Sequence, residues 1–136
     1  MISRQHRFHG HTSLNFVYRR GATVRNQQIS LRYVRNGRLP AFRAAVIVSR
    51  KVHKSAVRRN RIRRRIYEQV RAHAPEITAP VDLVFTVFSE RLADMPAAQL
   101  AELIAGLLVR ADAVVPGAHP LPAADHDIVT MNRVRA

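Results

Sequence analysis

The sequence predicts one α+β domain, and three observations predict it. Its 136 residues are enough for a single hydrophobic core. Apolar residues alternate or run together in short β-branched and aromatic stretches, the patterns of half-buried and interior strands. Between those stretches they recur every three to four residues, the period of a helix packed on one side. The resulting order is α-β-β-α-β-α, a layer in which the helices pack on one face of a small sheet.

Residues 10–20 read as a short helix. Thr12 or Ser13 is its cap, Leu14, Val17 and Tyr18 stand at helical spacing, and Gly21 stops it. Residues 28–35 alternate, with Ile29, Leu31 and Tyr33 on one side and Ser30, Arg32 and Val34 on the other. Asn36, Gly37 and Pro40 supply a turn into a second strand over 42–49, so the pair is expected as a hairpin. Over 56–73 the period becomes four, with Ile62, Ile66 and Val70 stacked, and Pro75 ends the helix. Residues 81–88 are apolar on both sides, which suits an interior strand. After Asp94 and Pro96, Leu100, Leu103, Ile104, Leu107 and Leu108 follow the amphipathic template closely. The domain is therefore placed at residues 1–111. Pro116, Gly117, Pro120 and Pro122 open a remainder, 112–136, too polar to offset its ordering entropy and expected as a flexible tail.

Charge is distributed unevenly. The net charge is +14, yet residues 1–74 hold 19 of the 23 basic groups and one acid, Glu68, for a net +18. Residues 75–136 are net −4. A localised positive field attracts a polyanion by releasing its condensed counterions, so nucleic acid is the first candidate partner and an anionic membrane surface the second. Arginine outnumbers lysine 21 to 2, which suits bidentate phosphate contacts and stacking and is also what a GC-rich genome would give. The chain has no cysteine, which excludes disulfides and thiolate chemistry and agrees with a cytoplasmic protein. No apolar run approaches membrane-spanning length and no signal-peptide core is seen, so a soluble, intracellular protein with no membrane span is expected.

The basic groups converge on 50–71, where ten of them face one acid, more than solubility requires of a solvated surface. On a helical wheel Asn60, Arg64, Tyr67 and Arg71 lie opposite the apolar stripe, with Arg61 and Glu68 beside them and Arg58, Arg63 and Arg65 flanking. Such a face can bind phosphate, stack and hydrogen-bond bases. Arg59 falls nearer the apolar side, so it either turns outward at the helix start or has its guanidinium held by a partner. Arg50, Lys51 and Lys54 precede the helix, near the positive end of its dipole, and form a second anion site. Seven scattered histidines, His9 and His11 included, make no metal-ligand set, and no catalytic constellation surrounds Ser49, Ser55 or Ser89.

The run Ser49-Arg50-Lys51-Val52, followed by Arg59-Asn60-Arg61-Ile62-Arg63-Arg64, resembles the signature of the bacterial ribonuclease P protein subunit, and the similarity extends over roughly residues 4–111. The resemblance implies a fold like domain 2 of ribosomal protein S5, with a left-handed β-α-β crossover, against the usual right-handed rule. It also implies a subunit of an endoribonuclease whose chemistry is carried by RNA, so that the chain has no catalytic residue of its own and Mg2+ is held mainly by that RNA. Arg50, Lys51, Lys54, Arg58, Arg59, Asn60, Arg61, Arg63 and Arg64 are then expected on ribonuclease P RNA. Leu14, Phe16, Tyr18, Arg32 and Tyr67 are expected to line a cleft for the 5′ leader of precursor tRNA. Leu14 stands where the family has an aromatic, and Phe16 is the neighbour able to replace its stacking. His53 stands where a glycine is common. No obligate protein partner is implied. The rival expectation is a ribosomal or ribosome-assembly protein of the same fold, without a nuclease role.

Overall fold

The computed structural model describes residues 6–8, 11–35, 41–77, 80–111 and 113, with backbone only for 11–13. Its elements are α1 (His11–Arg20), β1 (Ala22–Arg25), β2 (Ile29–Arg35), β3 (Arg43–Ile47), α2 (Ala56–His73), β4 (Val81–Val87) and α3 (Ala97–Arg110), with short 3-10 turns at Ala74–Glu76 and Glu90–Ala93. The four strands form one mixed sheet in the order β1-β2-β4-β3.

This order corrects the expected hairpin. β2 does not pair with β3; it pairs antiparallel with β1 and β4, and β3 runs parallel to β4. The actual hairpin joins β1 to β2 at Asn26, whose side-chain oxygen accepts the amides of Gln28 at 2.8 Å and Ile29 at 3.0 Å. Such an Asx turn reverses the chain without a glycine. β4 takes the interior place, paired with β2 on one edge and β3 on the other, and its side chains are buried on both faces. The element order is thus α-β-β-β-α-β-α, with β1, four residues long, added to the expected set. The turn expected at 36–40 and the caps expected from Thr12 or Ser13 lie outside what the structure describes, as do His9 and the tail from 114 onward.

One face of the sheet carries Val24, Ile29, Leu31, Tyr33, Ala44, Val46, Leu83, Phe85 and Val87, and against it pack Ile62, Ile66 and Val70 of α2 and Leu100, Ile104, Leu107 and Leu108 of α3. The core reaches past the expected domain end to Ala113, whose amide donates to Leu108 O at 2.9 Å. The expectation that all helices share one face is corrected by α1. It lies across β2 and β4 on the opposite face, where Val17 and Val84 are fully buried apart from the main cluster. A central strand apolar on both sides needs a cover on both sides. Gly21 makes the close exit from α1 possible: its amide donates to Val17 O at 2.7 Å, and a Cβ there would stand 2.5 Å from that carbonyl.

On the α1 face, Arg43 and Asp82 are register partners of β3 and β4. Asp82 is fully buried, and the Arg43 guanidinium donates to both its oxygens, at 3.0 and 2.8 Å. Phe8 lies 4.6 Å over that guanidinium.

Candidate nucleic-acid interface

α2 begins where Ser55, in an extended conformation, accepts the Arg58 amide on its hydroxyl at 3.4 Å. His53 fixes the approach: its Nδ1 accepts the Ser55 amide at 3.0 Å while its Nε2 faces a Glu90 oxygen at 3.3 Å. The first contact requires an unprotonated Nδ1, so Nε2 is the nitrogen that carries the proton toward Glu90. His53 thus braces the turn at both ends.

From that start α2 divides into three sectors. Ile62, Ile66 and Val70 enter the core. Arg58, Arg61 and Arg65, spaced three and four apart, grip the segment after β4. Arg58 makes a two-pronged pair with Asp94, at 3.3 and 2.8 Å. Arg61 donates to Ala93 O at 2.7 Å. Arg65 donates to Leu92 O at 2.7 Å and also to Met95 O. The third sector holds the exposed Asn60 and Arg64 with the half-buried Arg63 at its margin, and Asn60 accepts a hydrogen bond from Arg63. Arg64 is exposed and bonds to no other described residue. Arg50, Lys51 and Lys54 are exposed in the connection ahead of α2.

The structure therefore brings most of the expected RNA-binding set together but gives its members different work. Arg59 resolves the choice left open by the wheel: its guanidinium donates to the carbonyls of His53 at 2.9 Å and Lys54 at 2.8 Å, so it closes the turn that precedes the helix. Arg58 and Arg61 spend donors on the 90–95 segment, although Arg61 stays half exposed. Beside them lies an open polar groove of about 350 Å³, bordered by Gln28, Arg58, Glu90, Arg91, Asp94 and Gln99.

The Arg58 hydrogen bond, with further attraction from Arg61 and Arg65, holds the Asp94 carboxyl below the usual aspartate range. A carboxyl depressed by folding adds stability above its unfolded pKa and loses it as pH falls through the folded one. The expected outcome is that Asp94→Asn flattens the decline of melting temperature below about pH 4. An unchanged acid limb in thermal melts followed by circular dichroism would assign that decline to other carboxyls.

The expected leader cleft is only partly assembled. Leu14 and Tyr18, one turn apart, share a flank of α1. Arg32 joins them from β2, donating to Val17 O at 3.3 Å and to Tyr18 O at 2.5 Å with its guanidinium 6.0 Å from the Tyr18 ring centre. Phe16 is exposed but lies 200° around the helix from Tyr18, on the other flank. Tyr67 is not with them. It lies on α2, against the core on the other face of the sheet, and its hydroxyl accepts the Val46 amide of edge strand β3 at 3.1 Å. Sequence reasoning passed over Phe88, which is 46% exposed, and Arg25, which lies 5.3 Å over its ring. The available signal was Phe88 itself, next in alternation after the inward-facing Val87.

Fold and charge define a small α+β domain whose basic helix face is set to meet a polyanion. The family model described as Ribonuclease P matches residues 2–112, and the chain belongs to that family. A ribonuclease P protein component from Synechococcus elongatus is 28% identical over 83% of this chain and 95% of its own. One from Chloroflexus aurantiacus is 44% identical over 70 residues, which are 52% of this chain and 51% of that protein, so the chain spans about half of this relative. Among solved structures, the Staphylococcus aureus RNase P protein superimposes with a TM-score of 0.72 at 25% identity, over 81% of this chain and 98% of the other.

Proposed function

We propose that this chain is the protein subunit of ribonuclease P, binding the catalytic RNA through the outward sector of α2 and the connection before it. In this reading it promotes endonucleolytic 5′ maturation of precursor tRNA. The observation that carries the reading is the division of α2. With Arg58, Arg61 and Arg65 engaged on the 90–95 segment, the exposed Asn60 and Arg64 and the half-buried Arg63 are left for a partner, as are the exposed Arg50, Lys51 and Lys54 in the connection ahead of the helix. These are donors suited to phosphates. Leu14, Tyr18 and Arg32 then receive the single-stranded 5′ leader on the other side of the sheet, by stacking and by charge.

The reading carries with it the fold of domain 2 of ribosomal protein S5, with a left-handed β3-α2-β4 crossover, and a cytoplasmic setting. Bond cleavage falls to the RNA. In this reading the Mg2+ that assists cleavage is held mainly by RNA phosphates; among the described residues no three His, Asp or Glu side chains converge.

The decisive experiment is 5′ processing of a precursor tRNA by bacterial ribonuclease P RNA at low magnesium, with and without this protein. Restored cleavage at the mature 5′ end is expected. Tight binding to that RNA without stimulation would instead favour a structural role on ribosomal RNA.

A further inference from the structure

We propose that Phe88 and Arg25 form a second stacking position for an unpaired nucleotide, continuing the track that starts at Tyr18 and Arg32. Phe88 has no packing reason to be aromatic: it is 46% exposed and belongs to neither the core nor the partly buried shell around it. Its backbone is nonetheless rigidly held. The Phe88 amide donates to Gln28 O at 2.8 Å, and the next residue, Ser89, accepts the Arg91 amide on its hydroxyl at 3.2 Å. A solvent-facing ring on a fixed backbone, with a guanidinium 5.3 Å from its centre, offers a π-face and a positive charge together, the combination that holds single-stranded nucleic acid without reading its sequence.

Position supports the same partner. Val24 and Val87 face the core, so Arg25 and Phe88 emerge on the opposite face, the one that α1 and Arg32 occupy. Thr23 is the register partner of Arg32, and Arg25 that of Ser30, which makes Arg25 and Arg32 diagonal neighbours. Their separation is roughly 7–8 Å between backbones, within reach of adjacent nucleotides on one extended strand. Two arginine–aromatic pairs thus stand side by side on one face. Arg110, at the end of α3, donates to the Arg25 carbonyl at 3.4 Å, while the nearest acid in sequence, Glu90, is turned to His53. The occupant is an unpaired RNA strand; only its naming as the tRNA leader rests on the function proposed above.

The chain has no tryptophan, so Phe88→Trp introduces a single fluorophore at the site. Titration with a short unstructured RNA oligonucleotide is expected to quench it saturably, duplex RNA of the same composition should leave it bright, and Arg25→Ala should weaken the quenching. In the reconstituted holoenzyme, Phe88→Ala should weaken binding of leader-bearing precursor about fivefold or more and leave mature tRNA binding unchanged. No quenching, or equal quenching by duplex, overturns the stacking site. If the protein fails to stimulate processing at all, the ribonuclease P reading falls, while the oligonucleotide titration still decides whether Phe88 stacks.

Discussion

Ile66→Asp is expected to abolish cooperative folding. Ile66 is fully buried in the middle of α2, in the cluster that also holds Ile62, Val70, Leu83 and Phe85. A carboxylate at that point finds no partner in an apolar cluster, and even after relaxation an uncompensated buried charge costs several kcal/mol. The lost isoleucine packing adds about 2–5 kcal/mol. A domain of this size has a total stability of roughly 5–15 kcal/mol, so the two losses are comparable with everything that holds it. The matched control is Val57→Asp on the same helix, where the side chain is 74% exposed and an acid in the first turn complements the helix dipole. Thermal melts followed by circular dichroism should show no transition for the first variant and a nearly unchanged one for the second. A normal melt for Ile66→Asp would mean that the faces of α2 are assigned the wrong way round.

The same helix shows what the sequence could and could not reveal. The period-four stripe of Ile62, Ile66 and Val70 was enough to orient α2, and the leucines of α3 did likewise, because burial on one side writes itself directly into spacing. Periodicity is silent about which elements become neighbours. For that reason β2 and β3 were expected as a hairpin, although β4 enters between them. The apolar character of β4 on both sides did contain the information that something must cover the second face, and α1 is that cover. The short strand β1 escaped notice because four residues carry too little alternation to stand out. The wheel placed Arg61 and Arg64 together as outward residues, and both are exposed, but it could not show that Arg61 also reaches Ala93, more than thirty positions away in the chain. Tyr67 was misplaced for the same reason, since its hydroxyl partner, Val46, belongs to another element. Side-chain partners distant in sequence leave no mark on local spacing.

The distinction between gripping and outward arginines leads to the second large effect. Arg63→Ala with Arg64→Ala should reduce affinity for ribonuclease P RNA on the order of 100-fold while the melting temperature stays the same. Neither side chain enters the core, and within the described residues Arg63 bonds only to the exposed Asn60. A hydrogen bond to a charged group contributes roughly 1.5–3 kcal/mol, and two of them lost together reach that factor. Each phosphate contact removed should also flatten the dependence of log affinity on log salt by about one, so the double variant should be shallower by about two. Arg58→Ala with Arg61→Ala should behave differently. Those side chains hold the 90–95 segment, so their loss should lower the melting temperature and change the salt slope less. Replacing Arg63 and Arg64 by lysine separates charge from geometry, because an ammonium keeps the long-range attraction but loses the planar two-donor fork. If the Arg63 and Arg64 variant binds with wild-type affinity and slope, the outward sector of α2 is not the RNA contact. The exposed Arg50, Lys51 and Lys54 would then have to carry it alone.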